Sequence, residues 1–154
     1  MKLIEPSDAH LVELMSWFKD ETQLATWSGP GFRYPFDSVT FKEDLKLTSL
    51  PSFSLVSQQG ELLAFGQYYL REKRCHLGRL VVNPSKRGQG IVATLVARLA
   101  VKGKDHLKVK TCSLFVFEDN THAIRAYQKL GFKQSEYPTN IPLTGCIYMV
   151  SDLG

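Results

Sequence analysis

The sequence is poor in cysteine and lacks a long apolar run. Its three cysteines, Cys75, Cys112 and Cys146, are odd in number and lie more than 30 residues apart. This spacing excludes a disulfide framework and a CxxC metal clip, so we expect three small buried hydrophobes. The longest largely apolar stretch, IVATLVA, has seven residues, against roughly 20 for a membrane-spanning helix. No membrane association is therefore expected.

A secretory signal is also missing from the sequence. The stretch MKLIEPSDAH carries Glu5 and Asp8 where such a signal needs an apolar run. We therefore expect a cytoplasmic protein. With 154 residues, 44% of them apolar, and no repeats or linkers, the chain is expected to form a single domain over residues 1–154.

The sequence has no dense run of Lys or Arg, although its net charge is +4. Residues 1–70 carry 5 basic and 9 acidic side chains, residues 71–110 carry 11 and 2, and residues 111–154 carry 3 and 4. The positive charge therefore lies in the middle segment, scattered among apolar positions. Such a segment fits a small polyanionic ligand at least as well as a nucleic acid, for which no binding motif is recognised.

The first part of the chain indicates a strand, two helices and a loop. KLIEP predicts a short strand that its proline ends, after which Ser7 or Asp8 caps a helix. The stretch TWSGPGFRYPF, residues 26–36, is dense in Gly, Pro and aromatics and predicts an irregular loop. A second short helix is expected to begin at Asp37 or Ser38.

The rest of the chain indicates strands and helices in alternation. Residues 53–84 contain three β-rich runs separated at QQG and EKR, which predict an antiparallel meander. Apolar residues recur at helical spacing from Gln89 to about Lys102, TCSLFVF (111–117) predicts a strand, and a further helix ends at Gly131. KQSEY and GCIYMV predict the last strands. Because a strand, helix, strand order requires parallel pairing, we predict an α+β fold with a mixed, mostly antiparallel sheet of six to seven strands flanked by about four helices.

Two glycines precede the central helix in RGQGIVATLV, residues 87–96. A helix N-terminus presents unpaired backbone N–H groups and the positive end of a dipole, and glycine permits close approach, so this turn suits a phosphate. The stretch matches neither the GxGxxG of dinucleotide folds nor the GxxxxGK[ST] of nucleotide P-loops. On its own it fits a plain turn before a helix equally well.

Two stretches together resemble the acetyltransferases of the GNAT superfamily. The family's pyrophosphate signature, Gln/Arg-x-x-Gly-x-Gly/Ala, begins here at Arg87, with Gly90 in the fourth position and Val92 in the sixth, where the family prefers Gly or Ala. The resemblance implies a GNAT-like fold with acetyl-CoA as acyl donor and no metal. NTHAIRAYQKLGF resembles the family's helix 4 motif through Asn120, Ala123, Tyr127, Gly131 and Phe132.

The resemblance also implies how the chain would hold acetyl-CoA. Backbone groups of the strand before the glycine turn would pair with the pantetheine arm, amides of the turn would hold the pyrophosphate, and Asn120 would contact the arm. The implied strand residues are Leu80, Val81 and Val82, and the turn residues are Arg87, Gly88, Gln89, Gly90, Ile91 and Val92.

Tyr127 is the candidate proton donor. It stands where the resemblance places a tyrosine that protonates the departing thiolate, and a phenol of pKa about 10 and a thiol of pKa about 8.5 are close enough for proton transfer. In the alternative interpretation Tyr127 only packs in the core, because Ala123 lies one helical turn away on the same face.

His76 is the candidate base that takes a proton from the attacking amine. Strand alternation in CHLGRLVV predicts that His76, Gly78, Leu80 and Val82 share one face. Members of the resembled family carry Glu or His at the position of His76. In the alternative interpretation His76 ends a hairpin in contact with water, and water alone serves as base.

Trp27, Phe32 and Tyr34 are the candidate acceptor-binding residues. They would wall an apolar pocket near the SEYPTNIPLTG connection or, alternatively, close the edge of the core. Acidic side chains of the same segment would attract a cation. These are Asp20, Glu21 and Asp37.

The expected activity is direct transfer of acetyl from acetyl-CoA to a primary amine of a small molecule or peptide, by a monomer or homodimer. Two other classes remain open. A non-catalytic acyl-CoA-binding or sensing module would keep the cofactor residues without acid and base, and a nucleic-acid-binding domain would use residues 71–110 as its face. No HExxH or equivalent pattern is present, so we expect no metal.

Overall fold

A computed structural model describes residues 1–153, which form seven β-strands and five α-helices. The strands are β1 (Lys2–Ile4), β2 (Ser52–Val56), β3 (Leu62–Arg71), β4 (Arg74–Val82), β5 (Cys112–Phe117), β6 (Lys133–Ser135) and β7 (Cys146–Ser151). The helices are α1 (Asp8–Ser16), α2 (Glu21–Ser28), α3 (Ser38–Leu45), α4 (Ile91–Leu107) and α5 (Thr121–Lys129), and a single 3-10 turn covers Pro84–Lys86.

The strands form one sheet in the order β1-β2-β3-β4-β5-β7-β6. Every pairing is antiparallel except that of β4 with β5, which is parallel because α4 carries the chain across between them. The predicted mixed, mostly antiparallel sheet and its central meander are therefore confirmed.

The predicted loop over residues 26–36 is wrong in its first part, because α2 extends to Ser28. The side chain of Asp20 caps this helix by accepting a hydrogen bond from the Gln23 amide, and no Gly or Pro occurs between Asp20 and Gly29. Residues 1–153 consequently contain five α-helices, against the prediction of about four.

The central helix α4 runs five residues past its predicted end at Lys102. Gly103, which would weaken a helix in water, is buried here, and a methyl group on it would collide with Cys75 Sγ and come within 3.0 Å of the Tyr68 ring. The glycine therefore lets helix and sheet approach closely, and the packing gained by that approach carries the helix on to Leu107.

The sheet separates two hydrophobic clusters. One lies between the sheet and the helices α4 and α5, and its face of the sheet is called the α4 face here. The other lies under α1, α2 and α3 against the α1–α3 face of the sheet, and includes Phe41, Leu45 and Phe65. Cys75 and Cys112 are buried as expected, whereas Cys146 is only half-buried.

A bulge in β4 changes which side chains share a face. Gln67 pairs with Gly78 and Phe65 pairs with Val81, so the single residue between them on β3 faces two residues of β4. Arg79, with φ of 48°, is one of these two residues. The strand therefore slips by one position after Gly78.

The bulge corrects the predicted alternation of β4. His76 and Gly78 lie on the α1–α3 face with Tyr69, whereas Leu80 and Val82 pack on the α4 face. The prediction that all four share one face is wrong, because strict alternation holds only where neither strand carries an extra residue.

Strands β4 and β5 diverge after a short parallel ladder. Only the segment from Cys75 to Leu77 pairs with the segment from Cys112 to Leu114 among the described residues. The second halves of the two strands leave a gap, here called the β4–β5 gap. Because the strands run in the same direction, α4 and α5 begin at the same edge of the sheet and flank this gap with their N-termini.

Candidate functional site

The glycine turn places unused backbone donors at the start of α4. Gly88 and Gly90 have φ of 81° and 73°, and a methyl group on either would meet nothing within 4 Å. Gly90 is the N-cap residue and offers no side-chain cap, so the first N–H groups of the helix, from Ile91 on, lack the acceptor that a cap would supply. Residues 87–90 are all exposed. Positive φ, open space and free donors together fit a pyrophosphate group.

The end of β4 directs backbone groups into the β4–β5 gap. The Asn83 amide donates to the Leu63 carbonyl at 2.8 Å, so Asn83 faces β3. Because the direction alternates along a strand, the N–H and C=O groups of Val82 and Leu80 face the gap, while those of Val81 face β3. Of the three strand residues in the sequence hypothesis, two therefore have the required orientation.

Asn120 and Tyr127 both lie on α5, across the gap from β4. Asn120 is the N-cap of this helix, and its side-chain oxygen accepts from the Ala123 amide at 3.2 Å, leaving the side-chain amide group to contact a ligand. Tyr127 is 6% exposed and packs against Phe132, with ring centroids 6.0 Å apart.

Burial raises the pKa of Tyr127 to about 12. The phenol is therefore protonated throughout the neutral range and can donate a hydrogen bond. The near match with the pKa of a thiol, expected from the sequence, is lost because the interior disfavours the tyrosinate.

His76 lies on β4 next to the gap, on the α1–α3 face. It is 2% exposed, and its Nδ1 lies 2.9 Å from Ser113 Oγ on β5. Nε2 makes no hydrogen bond within residues 1–153. Because it is also not completely buried, it retains a small contact with solvent. Tyr69 and Phe115 enclose the ring, with centroids at 5.3 Å and 4.6 Å.

Burial and, to a smaller extent, the positive charge of Arg71 together lower the pKa of His76 to about 3. The imidazole is therefore neutral at pH 7 and can accept a hydrogen bond. It is a weak proton acceptor in this state, because a cation formed there would be both desolvated and close to another cation.

Residues 11–132 match the family model described as the acetyltransferase (GNAT) family. The chain belongs to the GNAT family. It is 30% identical over 83 residues to the spermine/spermidine N(1)-acetyltransferase of Bacillus subtilis (strain 168), an alignment that covers 49% of this chain and 55% of the relative. The probable spermine N(1)-acetyltransferase of Bacillus subtilis subsp. natto (strain BEST195) gives the same figures. The chain thus spans about half the length of the curated relatives it matches.

Solved structures of the same fold include spermidine N-acetyltransferase from Vibrio cholerae in complex with CoA and spermine. The TM-score is 0.73 at 17% identity, with 97% of this chain and 93% of that chain covered. A chimeric form of the Vibrio cholerae enzyme gives a TM-score of 0.70 at 16% identity, covering 98% and 96%. These likenesses establish the fold of this GNAT chain. The match to the family model confirms the resemblance found in its sequence.

Two of the three candidate acceptor-binding aromatics of the GNAT domain are packed. Trp27 stacks on Phe18 at 4.5 Å, and its indole N–H donates to the Arg79 carbonyl at 2.8 Å, which ties α2 to the bulge of β4. Phe32 packs on Phe41 at 5.2 Å, while Tyr34 is 40% exposed. The structure brings Trp27 and Phe32 together beside β4 and leaves Tyr34 on the surface.

The acidic residues expected to attract a cation have other roles. Asp20 caps α2, and Asp37 caps α3 by accepting from the Val39 and Thr40 amides at 2.9 Å and 2.8 Å. The hydrogen bond from the Thr40 amide is the main cause that lowers the pKa of Asp37. Glu21 is exposed in the first turn of α2, where it interacts favourably with the helix dipole.

The sequence hypotheses missed two arginines on the α1–α3 face. Arg71 lies among three aromatic rings, with its guanidinium carbon 5.2 Å from the centroid of Phe115 and 6.0 Å from that of Tyr137. Arg79, at the bulge, lies 5.7 Å from the centroid of Phe32. The signal available in the sequence was the excess of positive charge in residues 71–110, which does not show which cations share a face.

Other kinds of site receive no support from the described chain. Within residues 1–153, no three His, Cys, Asp or Glu side chains lie together as a metal site requires. None of the helices in that range has both the length and the hydropathy needed to cross a bilayer.

Proposed function

We propose that this chain is an N-acetyltransferase that moves the acetyl group of acetyl-CoA directly to a primary amine. In this proposal the protein is a cytoplasmic monomer or homodimer, and residues 1–154 form its single domain. The β4–β5 gap, flanked by the glycine turn and by Tyr127 in a chain of the GNAT family, is the observation that carries the proposal. The relatives named as spermine and spermidine acetyltransferases support acceptors of the amine class.

The reaction needs no covalent enzyme intermediate. A neutral amine nitrogen attacks the thioester carbonyl, the C–N bond forms and the C–S bond breaks. The amine loses one proton, the thiolate gains one, and the products are an acetamide and free CoA. Holding both reactants side by side supplies much of the rate increase.

In this proposal the donor lies in the β4–β5 gap. The free amides at the start of α4 hold the pyrophosphate, with Arg87 adding charge, and Gln89, Gly88 and Gly90 shape the turn. The amides of Leu80 and Val82 pair with the pantetheine arm and polarise the carbonyl. One such donor at a developing oxyanion is worth about 3 kcal/mol.

Tyr127 donates a hydrogen bond to the departing thiolate and is the source of its proton. Its raised pKa keeps that proton in place until negative charge forms on the sulfur. Neutral His76 accepts a hydrogen bond at Nε2 from the water that receives the proton of the amine. Ser113 holds the opposite nitrogen and orients the ring.

The acceptor enters from the α1–α3 face in this proposal. Trp27 and Phe32 line its path beside the bulge of β4, and Tyr34 lies at the entrance. The acceptor is a small molecule or a short peptide with a primary amine.

Calorimetric titration with acetyl-CoA tests the proposal, with ATP and NAD as controls. We expect micromolar binding of acetyl-CoA alone, followed by amine-dependent release of free thiol in an amine panel. No binding by folded protein at low salt would contradict the donor site. Binding without thiol release from any amine would contradict the transferase activity.

A non-catalytic acyl-CoA-binding module is the second candidate, and the low pKa of His76 favours it because a module of this kind needs no base. Tyr127→Phe separates the two functions. A sensing module would bind acetyl-CoA and release no thiol in either form, whereas an enzyme would show thiol release that the substitution slows.

A further inference from the structure

Arg71 and Arg79 lie on the α1–α3 face without a carboxylate partner. The ion pairs formed within residues 1–153 involve other cations. Arg71 donates only to the hydroxyls of Tyr69 and Tyr137, both at 2.9 Å. Arg79 donates to two backbone carbonyls and to the side-chain oxygen of Gln67 at 3.1 Å. Both arginines are therefore held in place by neutral groups that leave their charge uncompensated.

Each guanidinium keeps one nitrogen free. The Nη2 atoms of Arg71 and Arg79 make no hydrogen bond within residues 1–153. Neither atom is completely buried. Both nitrogens therefore contact solvent. A partly buried cation with a free donor gains more from an anion than a fully hydrated one does, because less water screens the pair.

The two arginines bind neighbouring side chains of β3. Tyr69 accepts from Arg71, and Gln67, two residues earlier on the same face of the strand, accepts from Arg79. Tyr69 also packs on His76, and its ring lies 3.6 Å from where a side chain on Gly78 would begin. The arginines, Tyr69 and His76 therefore form one surface next to the β4–β5 gap.

Within residues 1–153, no carboxylate forms an ion pair with either arginine. Asp44, the carboxylate whose charge acts on Arg79, is bound to Arg33 at 2.9 Å through the Arg33 amide and at 3.0 Å through its guanidinium. A polycation placed here would meet two unpaired positive charges. An amine that also carries a carboxylate would meet complementary charge.

We propose that the acceptor of this chain is a small amine that carries a carboxylate, such as an amino acid, and that Arg71 and Arg79 bind that carboxylate. The proposal rests on the transferase function proposed above and specifies its substrate class. The carboxylate lies beside Tyr69, and the amino group extends past His76 toward the β4–β5 gap. The aromatic surroundings exclude water from the ion pairs and so strengthen them.

Thiol release from acetyl-CoA with matched acceptors tests the substrate class. Each amino acid is compared with its carboxamide, which keeps the amine and removes the negative charge, and spermidine serves as the polycation. We expect at least one amino acid to be acetylated with kcat/KM about tenfold or more above that of its amide, because a charged hydrogen bond is lost. This comparison uses the native chain and does not depend on the folding of any variant.

Arg71→Gln and Arg79→Gln show whether these two arginines cause the discrimination. We expect each variant to raise KM for the amino acid about tenfold with little change in kcat, and to bring the ratio between acid and amide toward one. A purely structural role of Arg71 would lower the rates with acid and amide alike. Arg98→Gln, on the exposed side of α4, is the matched control and should preserve the ratio.

Binding distinguishes failure of this proposal from failure of the transferase function. Trp27 contacts the Arg79 backbone, so its fluorescence in the presence of CoA reports ligands at the pair. Equal rates with acid and amide, or a preference for spermidine, would overturn the carboxylate proposal and leave the transferase intact. If no amine causes thiol release, the transferase function fails. If, in addition, no amino acid binds in the fluorescence titration, the carboxylate proposal is overturned as well.

Discussion

Gly90→Ala separates the role of the glycine turn in folding from its role in binding acetyl-CoA. Gly90 has φ of 73°, and a methyl group there meets no atom within 4 Å. The only cost to the folded chain is therefore backbone strain of about 1–2 kcal/mol, partly offset by the smaller entropy of the unfolded alanine chain. A net loss of about 1 kcal/mol lowers Tm by about 2–4 °C in a chain of this length.

Gly60 offers a matched control in the turn between β2 and β3. Its φ is 82°, and a methyl group there also meets nothing within 4 Å. Gly60→Ala should therefore cost the same stability, measured by thermal unfolding, and leave the affinity for acetyl-CoA unchanged.

The two variants should differ in calorimetric titration with acetyl-CoA. The methyl group of Gly90→Ala occupies the open side of the turn, where the pyrophosphate is proposed to lie. Displacing it from one backbone donor removes a charged hydrogen bond of about 1.5–3 kcal/mol, which raises Kd about 10- to 100-fold. Equal Kd values for Gly90→Ala and Gly60→Ala, with equal Tm values, would refute the assignment of this turn to the pyrophosphate.

Three further outcomes are expected. Tyr127→Phe should lower kcat about 100-fold or more with Kd for acetyl-CoA unchanged, and an unaltered kcat would remove Tyr127 from the mechanism. The folded-state pKa of His76 is about 3 against 6.5 in the unfolded chain, so the unfolded state binds the proton first as pH falls. As the pH falls from 6.5 to about 3, the free energy of unfolding should therefore decrease by up to about 1.4 kcal/mol per pH unit. In denaturant titrations His76→Gln should make this dependence on pH less steep. An unchanged dependence would mean that His76 is not the group responsible. Gly103→Ala should lose about 1–3 kcal/mol by crowding Cys75 and Tyr68 while acetyl-CoA binding persists, and an unchanged Tm would contradict the close packing of α4 on the sheet.

Local patterns predicted most of the elements of this fold. Apolar spacing located α4 and α5, and Gly131, with φ of 91°, follows the end of α5 as a left-handed residue is expected to. The error over α2 was avoidable, because Asp20 followed by an eight-residue stretch without Gly or Pro is a helix-start signal that the glycines after Ser28 obscured.

The residues of the candidate site likewise include some that local sequence patterns predicted correctly and others that they did not. The glycine turn and Tyr127 could be found in the sequence because each belongs to a short continuous motif. The charge of Asp20 and Asp37 suggested that they attract a cation, but their oxygens accept hydrogen bonds from helix amides. The helix-start signal at each position already indicates this capping role.

The sequence by itself determined the order of the strands and of every α-helix but α2, the glycine turn before α4 and the family of the chain, because these depend on residues close together in the chain. Tertiary structure decided the face on which His76 lies and the placing of Arg71 and Arg79 beside neighbouring side chains of that same face. Both depend on the pairing of β3 with β4 and on the extra residue at the bulge. One added residue reverses every side chain beyond it, and a sequence pattern read along a single strand does not contain the partner that reveals the addition.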